Sequence, residues 1–367
     1  MIPVNEPVLN GNEKKYLNEC IDTGWISSEG PFVKKLEEQF AAKNNRKYGI
    51  AVCNGTAALE IAVEALGITK GDEVIMPAFT IISCASAIIK MGAKPVLVDS
   101  DLQTWNMNVK QIEAKITPKT KAIMVVHIYG LPVDMDAVID IAKKHNLKII
   151  EDAAEAHGQT YKGKVCGSFG DISVFSFYPN KLITTGEGGM VLADDEKLAE
   201  RCKSLRNLCF SGKRFVHEEL GWNMRMTNLQ AALGVAQLER WDEFISIKKK
   251  MGKLYTSLLK DEKNISIPTE KTTYAENMYW VFGVISENKN VTAEMLMKKL
   301  AEKEIGTRPF FYPMHLQPVF KKMNLFVGES YPNAEKMYEY GFYLPSGLAL
   351  TETQIQEVAK TLKNVLN

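Results

Sequence analysis

The sequence has almost no net charge and no long apolar stretch. Its 45 basic and 44 acidic side chains leave a formal charge of +1, so nothing in the charge balance favours binding to nucleic acid or to an anionic membrane. No apolar run reaches the roughly 20 residues that a membrane-spanning helix needs. The start, MIPVNEPVLNGNEKKY, lacks the basic and apolar segments of a signal peptide. We therefore expect a cytoplasmic protein with neither a membrane nor a nucleic-acid partner.

Metal-ligand motifs are also missing from the sequence. The six cysteines are scattered, they form no CxxC pair, and no neighbouring histidine completes a set of ligands. Several of them lie within apolar strand or helix patterns, as free thiols do in a reducing compartment. We expect no bound metal.

Short apolar segments alternate with amphipathic helical segments along most of the chain. Strand patterns cover residues 48–52, 73–76, 95–99, 120–126 and 147–150, and helical patterns follow most of them. This alternation predicts an α/β fold with a parallel sheet between two layers of helices. Ligands of such sheets bind at the carboxyl ends of the strands. Residues 54–56, His127 and Asp152 follow or end strands and could converge there.

One lysine stands in an irregular segment between two apolar strands. Residues 171–190 read DISVFSFYPNKLITTGEGGM, in which Pro179 ends the first strand and the glycines precede the second. Lys181 is therefore partly desolvated, and a desolvated amine is a good nucleophile for the aldehyde of a cofactor. A surface lysine in a hairpin loop is the plain alternative.

The string Ser-Phe-x-x-x-Lys followed by Gly-Glu-Gly-Gly resembles the cofactor-lysine segment of the nucleotide-sugar aminotransferases of the DegT/DnrJ/EryC1/StrS family. The resemblance implies an aspartate-aminotransferase-like fold of type I, with a three-layer large domain and a smaller α+β domain. We expect these domains at residues 1–245 and 246–367, joined by a long helix that the segment 221–232 opens and that runs through residue 245. It also implies pyridoxal phosphate (PLP, or PMP when aminated) as cofactor and L-glutamate as amino donor. Lys181 then forms the Schiff base and moves the proton.

Further cofactor contacts follow from the same resemblance. Asp152, 29 residues before the lysine, matches the carboxylate that keeps the pyridine nitrogen protonated. Gly55 and Thr56 belong to an Asn-Gly-Thr turn at a helix N-terminus, which favours a phosphate, and Ser176 adds a hydroxyl. Glu155 takes the position of a residue that contacts the ring hydroxyl. An ordinary capped turn is the alternative for both the Gly-Thr turn and Asp152.

The sequence departs from the family at the residue that stacks on the cofactor ring. An aromatic residue commonly follows the threonine equivalent to Thr80, whereas this chain has Ile81. Either Ile81 packs on the ring itself, or Phe79 shifts to compensate.

The segment GWNMRMTNLQAA at residues 221–232 resembles the family segment that crosses a dimer interface. By that likeness Asn223 reaches the cofactor phosphate of a partner subunit, which implies a homodimer with shared active sites. Arg225 is a candidate for binding a substrate carboxylate, with structural pairing to an acidic residue as the alternative.

Four further residues are candidates for contacts with the sugar, and for each of them packing is the alternative. They are Trp25, His157, Tyr312 and His315. The segments DAAEAHG, 212–214 and TRPFFYPMH most resemble members that aminate C4 of GDP-4-keto-6-deoxy-D-mannose to give GDP-perosamine. A viosamine-type 4-aminotransferase acting on a UDP- or dTDP-4-keto-6-deoxyglucose is the nearest alternative. A non-catalytic PLP-binding regulatory module is the alternative from another class. Lys181 argues against the branch that has histidine there.

Overall fold

The computed structural model describes residues 1–210, 213 and 215–366. Two positions of the 212–214 loop, Gly212 and Arg214, thus lie outside the described residues. The α-helices are α1 Glu13–Thr23, α2 Pro31–Lys43, α3 Gly55–Ala65, α4 Ile82–Lys90, α5 Met135–His145, α6 Glu196–Arg206, α7 Asn228–Leu238, α8 Trp241–Leu259, α9 Ala293–Ala301, α10 Pro318–Lys322, α11 Pro332–Tyr340 and α12 Glu352–Leu366. The β-strands are β1 Tyr48–Val52, β2 Glu73–Pro77, β3 Lys94–Val98, β4 Thr120–Val126, β5 Lys148–Asp152, β6 Thr160–Tyr161, β7 Lys164–Val165, β8 Ile172–Ser176, β9 Gly189–Ala193, β10 Ile265–Ser266, β11 Phe282–Ser286, β12 Arg308–Pro309 and β13 Gly341–Leu344.

The larger sheet has seven strands in the order β1-β9-β8-β5-β4-β2-β3. Strands β8, β5, β4, β2 and β3 are parallel, whereas β9 runs antiparallel to both of its neighbours. Alternate strand residues enter different apolar clusters, so helices cover both faces of the sheet. The predicted α/β fold with a mostly parallel sheet is confirmed.

The smaller sheet has four antiparallel strands in the order β10-β11-β13-β12, and helices α9, α11 and α12 belong to the same part of the fold. The single helix expected to open in the segment 221–232 and to run through residue 245 is instead two helices, because α7 ends at Leu238 and α8 begins at Trp241. Between them Glu239 accepts hydrogen bonds from Asn12 and Tyr16 of the N-terminal segment. Helix α8 continues through the expected boundary at residue 245, and that boundary stays a prediction. Over the described ranges, no helix is both long and apolar enough to cross a membrane.

A buried carboxylate ties the central strands together. Glu151 of β5 accepts hydrogen bonds from His127 Nε2 at 2.9 Å, from the backbone of the segment 167–170 and from the hydroxyl of Ser173. Arg46 binds the carbonyls of the same segment and the same serine. Burial alone would raise the pKa of Glu151. The hydrogen bonds from His127 and the backbone outweigh burial and lower this pKa to about 2. His127, Glu151 and Cys166 lie close enough to hold a metal ion, yet these hydrogen bonds already occupy both carboxylate oxygens.

His157 belongs to an aromatic cluster in the core. Its ring is stacked on Trp241 with centroids 6.1 Å apart, and it meets Phe40, Phe175 and Phe177 edge-on. Only 1% of the residue is exposed, and neither ring nitrogen has a well-formed hydrogen bond within the described ranges. These contacts favour the packing alternative for His157, and its sugar contact stays a prediction.

Replacement of Glu151 by glutamine should destabilise the fold. The depressed pKa means that the carboxylate stabilises the folded state above about pH 4.5 and loses this effect as the pH falls towards 2. We expect Glu151→Gln to lower the free energy of unfolding by about 3 kcal/mol at pH 7, as followed by denaturant melts. Glu38→Gln, at an exposed ion pair with Lys34, is the control and should change little. Equal stability of the two variants would contradict the role given to Glu151.

Replacement of His157 by phenylalanine should stabilise the protein in acid. Burial lowers the pKa of His157 to about 3, so the unfolded chain binds a proton that the folded protein excludes between about pH 6.5 and 3. The free energy of unfolding of the parent protein therefore decreases as the pH is lowered through this window. His157→Phe should be more stable than the parent by about 2 kcal/mol at pH 5, with little difference at pH 8. His217→Gln, at an exposed histidine, should show no such gain. Loss of turnover in a stable His157→Phe protein would instead support the sugar contact.

Candidate active site

A cavity of about 650 Å³ opens where the carboxyl ends of β5 and β8 meet the N-terminus of α3 and the smaller sheet. Both sheets contribute to its wall. Its lining comprises Asn54, Gly55, Thr56, Leu59, Thr80, Ile81, Ser83, Val126, Asp152, Ala154, Glu155, Val174, Phe175, Ser176, Tyr178, Asn180, Lys181, Glu187, Trp280, Arg308, Pro309, Phe311 and Tyr343.

Lys181 lies in the irregular segment between β8 and β9, as the sequence pattern predicts. Its backbone amide donates to the carbonyl of Tyr178 at 2.9 Å, which closes a turn around Pro179. The side chain is only 11% exposed, and its Nζ is 3.4 Å from Glu155 Oε1. A reactive amine is thus held inside the cavity rather than on the surface.

Asp152 ends β5, and its carboxylate faces this cavity. Oδ1 accepts a hydrogen bond from the amide of Ala154 at 3.0 Å, and Oδ2 accepts one from the Cys84 thiol at 3.4 Å. Burial raises the pKa of the Asp152 carboxyl, since the charged form has lost its water. A protonated ring nitrogen bound beside it would restore the preference for the charged form. The buried carboxylate therefore fits a pyridine ring.

The N-terminus of α3 provides the features of an anion site. Asn54 caps the helix by accepting from the amide of Ala57 at 2.8 Å, and Gly55 and Thr56 begin it. The first amides of a helix have no intrahelical partner and attract phosphate. A Cβ on Gly55 would lie 2.8 Å from that of Ser176, so the turn must be glycine to pack against the end of β8.

Hydroxyl groups surround this helix end. Thr56 Oγ1 and Ser83 Oγ are 2.9 Å apart, and Ser176 lines the same part of the wall. The predicted phosphate ligands Gly55, Thr56 and Ser176 therefore come together, and Ser83 joins them without a sequence motif to mark it. Their binding roles stay predictions.

Glu155 connects the lysine to the backbone of a neighbouring loop. Its Oε2 accepts from the amide of Tyr129 at 2.9 Å, and its Oε1 faces Lys181. Burial raises the pKa of Glu155 to about 7, although the positive charge of Lys181 partly offsets the effect. The carboxyl can therefore hold or release a proton near neutral pH.

Ile81, and not Phe79, reaches the cavity wall. Ile81 is 44% exposed and lines the cavity, whereas Phe79 is fully buried against Tyr129, Phe310 and Phe311. Of the two alternatives for the missing aromatic residue, the structure favours an aliphatic contact by Ile81.

Several predicted residues lie outside the cavity of their own chain. Asn223 is exposed, and its side-chain oxygen accepts from Arg225 at 3.0 and 2.8 Å. Arg225 lines a separate small polar cavity, and Trp25 is half exposed on the surface. The role of Asn223 at a partner's cofactor and those of Arg225 and Trp25 in substrate binding stay predictions.

The sugar contacts predicted near the end of the chain stay predictions, and the positions of both residues favour the packing alternative. His315 is buried with its Nε2 2.8 Å from Glu335, and Tyr312 packs edge-on against Tyr338. Neither lines the cavity, because both side chains pack on α11. Arg308 of the same segment does line the cavity, although it was not among the predicted sugar contacts.

Four further residues of the wall were missed by the sequence analysis. Trp280, Arg308, Phe311 and Tyr343 all belong to the C-terminal part of the chain. Arg308 and Phe311 belong to an aromatic-rich segment that stood out in the sequence. No motif distinguishes Trp280 or Tyr343.

Comparison with known proteins identifies the relatives of this chain. The profile of the DegT/DnrJ/EryC1/StrS aminotransferase family matches residues 7–363. A GDP-perosamine synthase of Escherichia coli O157:H7 is 44% identical, over 98% of this chain and 97% of its own. A GDP-perosamine synthase of Vibrio cholerae is 41% identical over 100% of both chains.

A solved structure has the same fold. The PLP form of a putative sugar aminotransferase, Spr1654 of Streptococcus pneumoniae, superposes with a TM-score of 0.93 at 28% identity, over 100% of this chain and 98% of that one. Together with the cavity that brings Lys181, Asp152 and the α3 N-terminus together, these matches show that the chain belongs to the DegT/DnrJ/EryC1/StrS aminotransferase family.

Proposed function

We propose that this protein is a PLP-dependent aminotransferase that moves an amino group from L-glutamate to C4 of GDP-4-keto-6-deoxy-D-mannose, giving GDP-perosamine. The placement of Lys181, Asp152 and the α3 N-terminus in one cavity carries the cofactor assignment. The choice of sugar is supported by two relatives named GDP-perosamine synthase, which match over nearly the whole chain. A cytoplasmic location belongs to the same proposal and is supported by six free cysteines.

Each part of the cofactor has a suitable partner in the cavity. The Asp152 carboxylate would hold the ring nitrogen, and the first turn of α3 with Thr56 and Ser176 would hold the phosphate. The amine of Lys181 would bind the aldehyde. When bound, PLP supplies an electron sink that makes the hydrogen beside the donor's amino group acidic.

The chain itself supplies the proton transfers. With PLP bound, the amine of Lys181 would take the proton from the donor carbon and pass it to the cofactor, and in the second half-reaction it would give a proton to the sugar carbon. Glu155, 3.4 Å from that amine, holds it in place and shares its proton. The low exposure of both side chains keeps water from competing.

Substrate recognition is assigned to the C-terminal wall of the cavity. Arg308 is exposed, and among the described residues it has no carboxylate partner. A guanidinium at this place suits the phosphates of a nucleotide sugar or a carboxylate of glutamate. Phe311 and Tyr343 provide apolar surface beside it.

A panel of nucleotide sugars tests the choice of substrate. The PLP-loaded protein is incubated with L-glutamate and a GDP-, UDP- or dTDP-4-keto-6-deoxyhexose, and products are identified by mass. We expect an aminated product with the GDP sugar and none without protein. Amination of a UDP or dTDP sugar alone would contradict the GDP assignment. The absence of any product, together with an unchanged cofactor spectrum on addition of glutamate, would favour a non-catalytic regulatory module.

Subunit complementation tests the shared site. Lys181→Ala and Asn223→Ala chains carrying different tags are expressed together, and the mixed dimers are purified. If Asn223 serves the partner's cofactor, each mixed dimer has one intact site and should show about half of the parent activity, whereas each variant alone is impaired. Chains that do not copurify, or mixed dimers without recovered activity, would contradict a shared homodimeric site.

A further inference from the structure

The amine of Lys181 lies against an indole ring as well as against Glu155. Its Nζ is 3.8 Å from the ring centroid of Trp280, well within the distance of about 6 Å at which an ammonium group is attracted to an aromatic face. Trp280 is 3% exposed and lines the cavity from the side of the smaller sheet. The lysine is therefore held between a carboxylate and an aromatic face.

The indole is fixed to the segment that carries the lysine. Its Nε1 donates a hydrogen bond to the carbonyl of Asn180 at 2.8 Å, and Asn180 directly precedes Lys181. Any movement of Trp280 relative to the turn would break this bond. The indole therefore keeps its position relative to the backbone of the lysine turn.

A buried lysine fixes the backbone of Trp280. The side-chain amine of Lys248 on α8 donates to the carbonyl of Trp280 at 2.7 Å and also to that of Ser346. Lys248 is 1% exposed, and burial of such a group is costly unless its donors are satisfied. Burial lowers the pKa of Lys248 to about 7, and the two carbonyls accept hydrogen bonds from its amine and join α8 to both segments.

The backbone before the indole is tightly confined. Tyr279 has a φ of 59°, an uncommon conformation for a residue with a side chain. A Cβ on Gly130 would lie 2.5 Å from the amide of Trp280, so the two segments touch through a glycine. Surrounding structure thus fixes this corner in a strained form, as is common at functional sites.

We propose that Trp280 is a positioning residue for Lys181. The inference rests on the proposed aminotransferase function. While the lysine carries the proton that it moves, the indole face holds its ammonium group at one place in the cavity. A lysine side chain has four rotatable bonds, and proton transfer is sensitive to displacements of about 1 Å. Contact with the indole restricts the lysine amine to one position.

Substitutions of Trp280 test the proposal in the half-reaction with glutamate. Trp280→Leu should slow the cofactor's spectral change by about 10- to 100-fold, with little change in the glutamate KM. It should also increase the kinetic isotope effect with α-deuterated glutamate, because proton transfer becomes more limiting. Trp280→Phe keeps an aromatic face and should recover most of the rate. Trp241→Leu removes an equally buried indole from the core and should leave the isotope effect unchanged.

A second measurement does not require turnover. In cofactor-free protein, the labelling of Lys181 by an amine-specific reagent is followed by peptide mass spectrometry. It should be several-fold faster in Trp280→Leu than in the parent, and near the parent rate in Trp280→Phe. An unchanged isotope effect in Trp280→Leu, or equal defects in the leucine and phenylalanine variants, would overturn the proposal. If the parent protein shows no reaction with glutamate, the proposed function fails, while the labelling rates still test whether Trp280 holds the amine.

Discussion

Strand β5 ends in two adjacent carboxylates, and the alternation of side chains along a strand sends them to opposite faces of the sheet. Glu151 enters a buried network with His127 and the segment that leads into β8. Asp152 faces the cavity. Because Glu151 fixes the neighbouring strand ends, the positions of Asp152 and Ser176 depend on it. Glu151, which has a structural role, thus helps to position Asp152, which has a chemical role.

The second constraint comes from the smaller sheet. The irregular segment between β8 and β9 places Lys181 in the cavity wall, where Trp280 and Tyr343 also lie. Trp280 closes this side, and Lys248 holds Trp280 through its backbone. Helix α8 therefore links the two sheets at the point where the reactive amine lies. The position of the Lys181 amine therefore depends on how the two sheets pack together.

Local patterns made much of the site predictable. The strand before Lys181, the turn that starts at Asn54 and the strand end at Asp152 are each contained within a few residues, so their periodicity indicates where they lie. Trp280 was not predictable, because it meets Lys181 across about a hundred positions of sequence and belongs to no motif. His157 follows Asp152 in an irregular segment, where no period indicates whether a side chain enters the cavity or the core.

The central claim is that Lys181 is the residue that bonds to the cofactor. The protein is incubated with PLP, the carbon–nitrogen bond is reduced with borohydride, and the modified lysine is located by peptide mass spectrometry. The structure predicts a single major adduct on Lys181, because its amine stands in the cavity with Asp152 and the α3 N-terminus. An adduct confined to other lysines, or no adduct after reduction, would contradict the account.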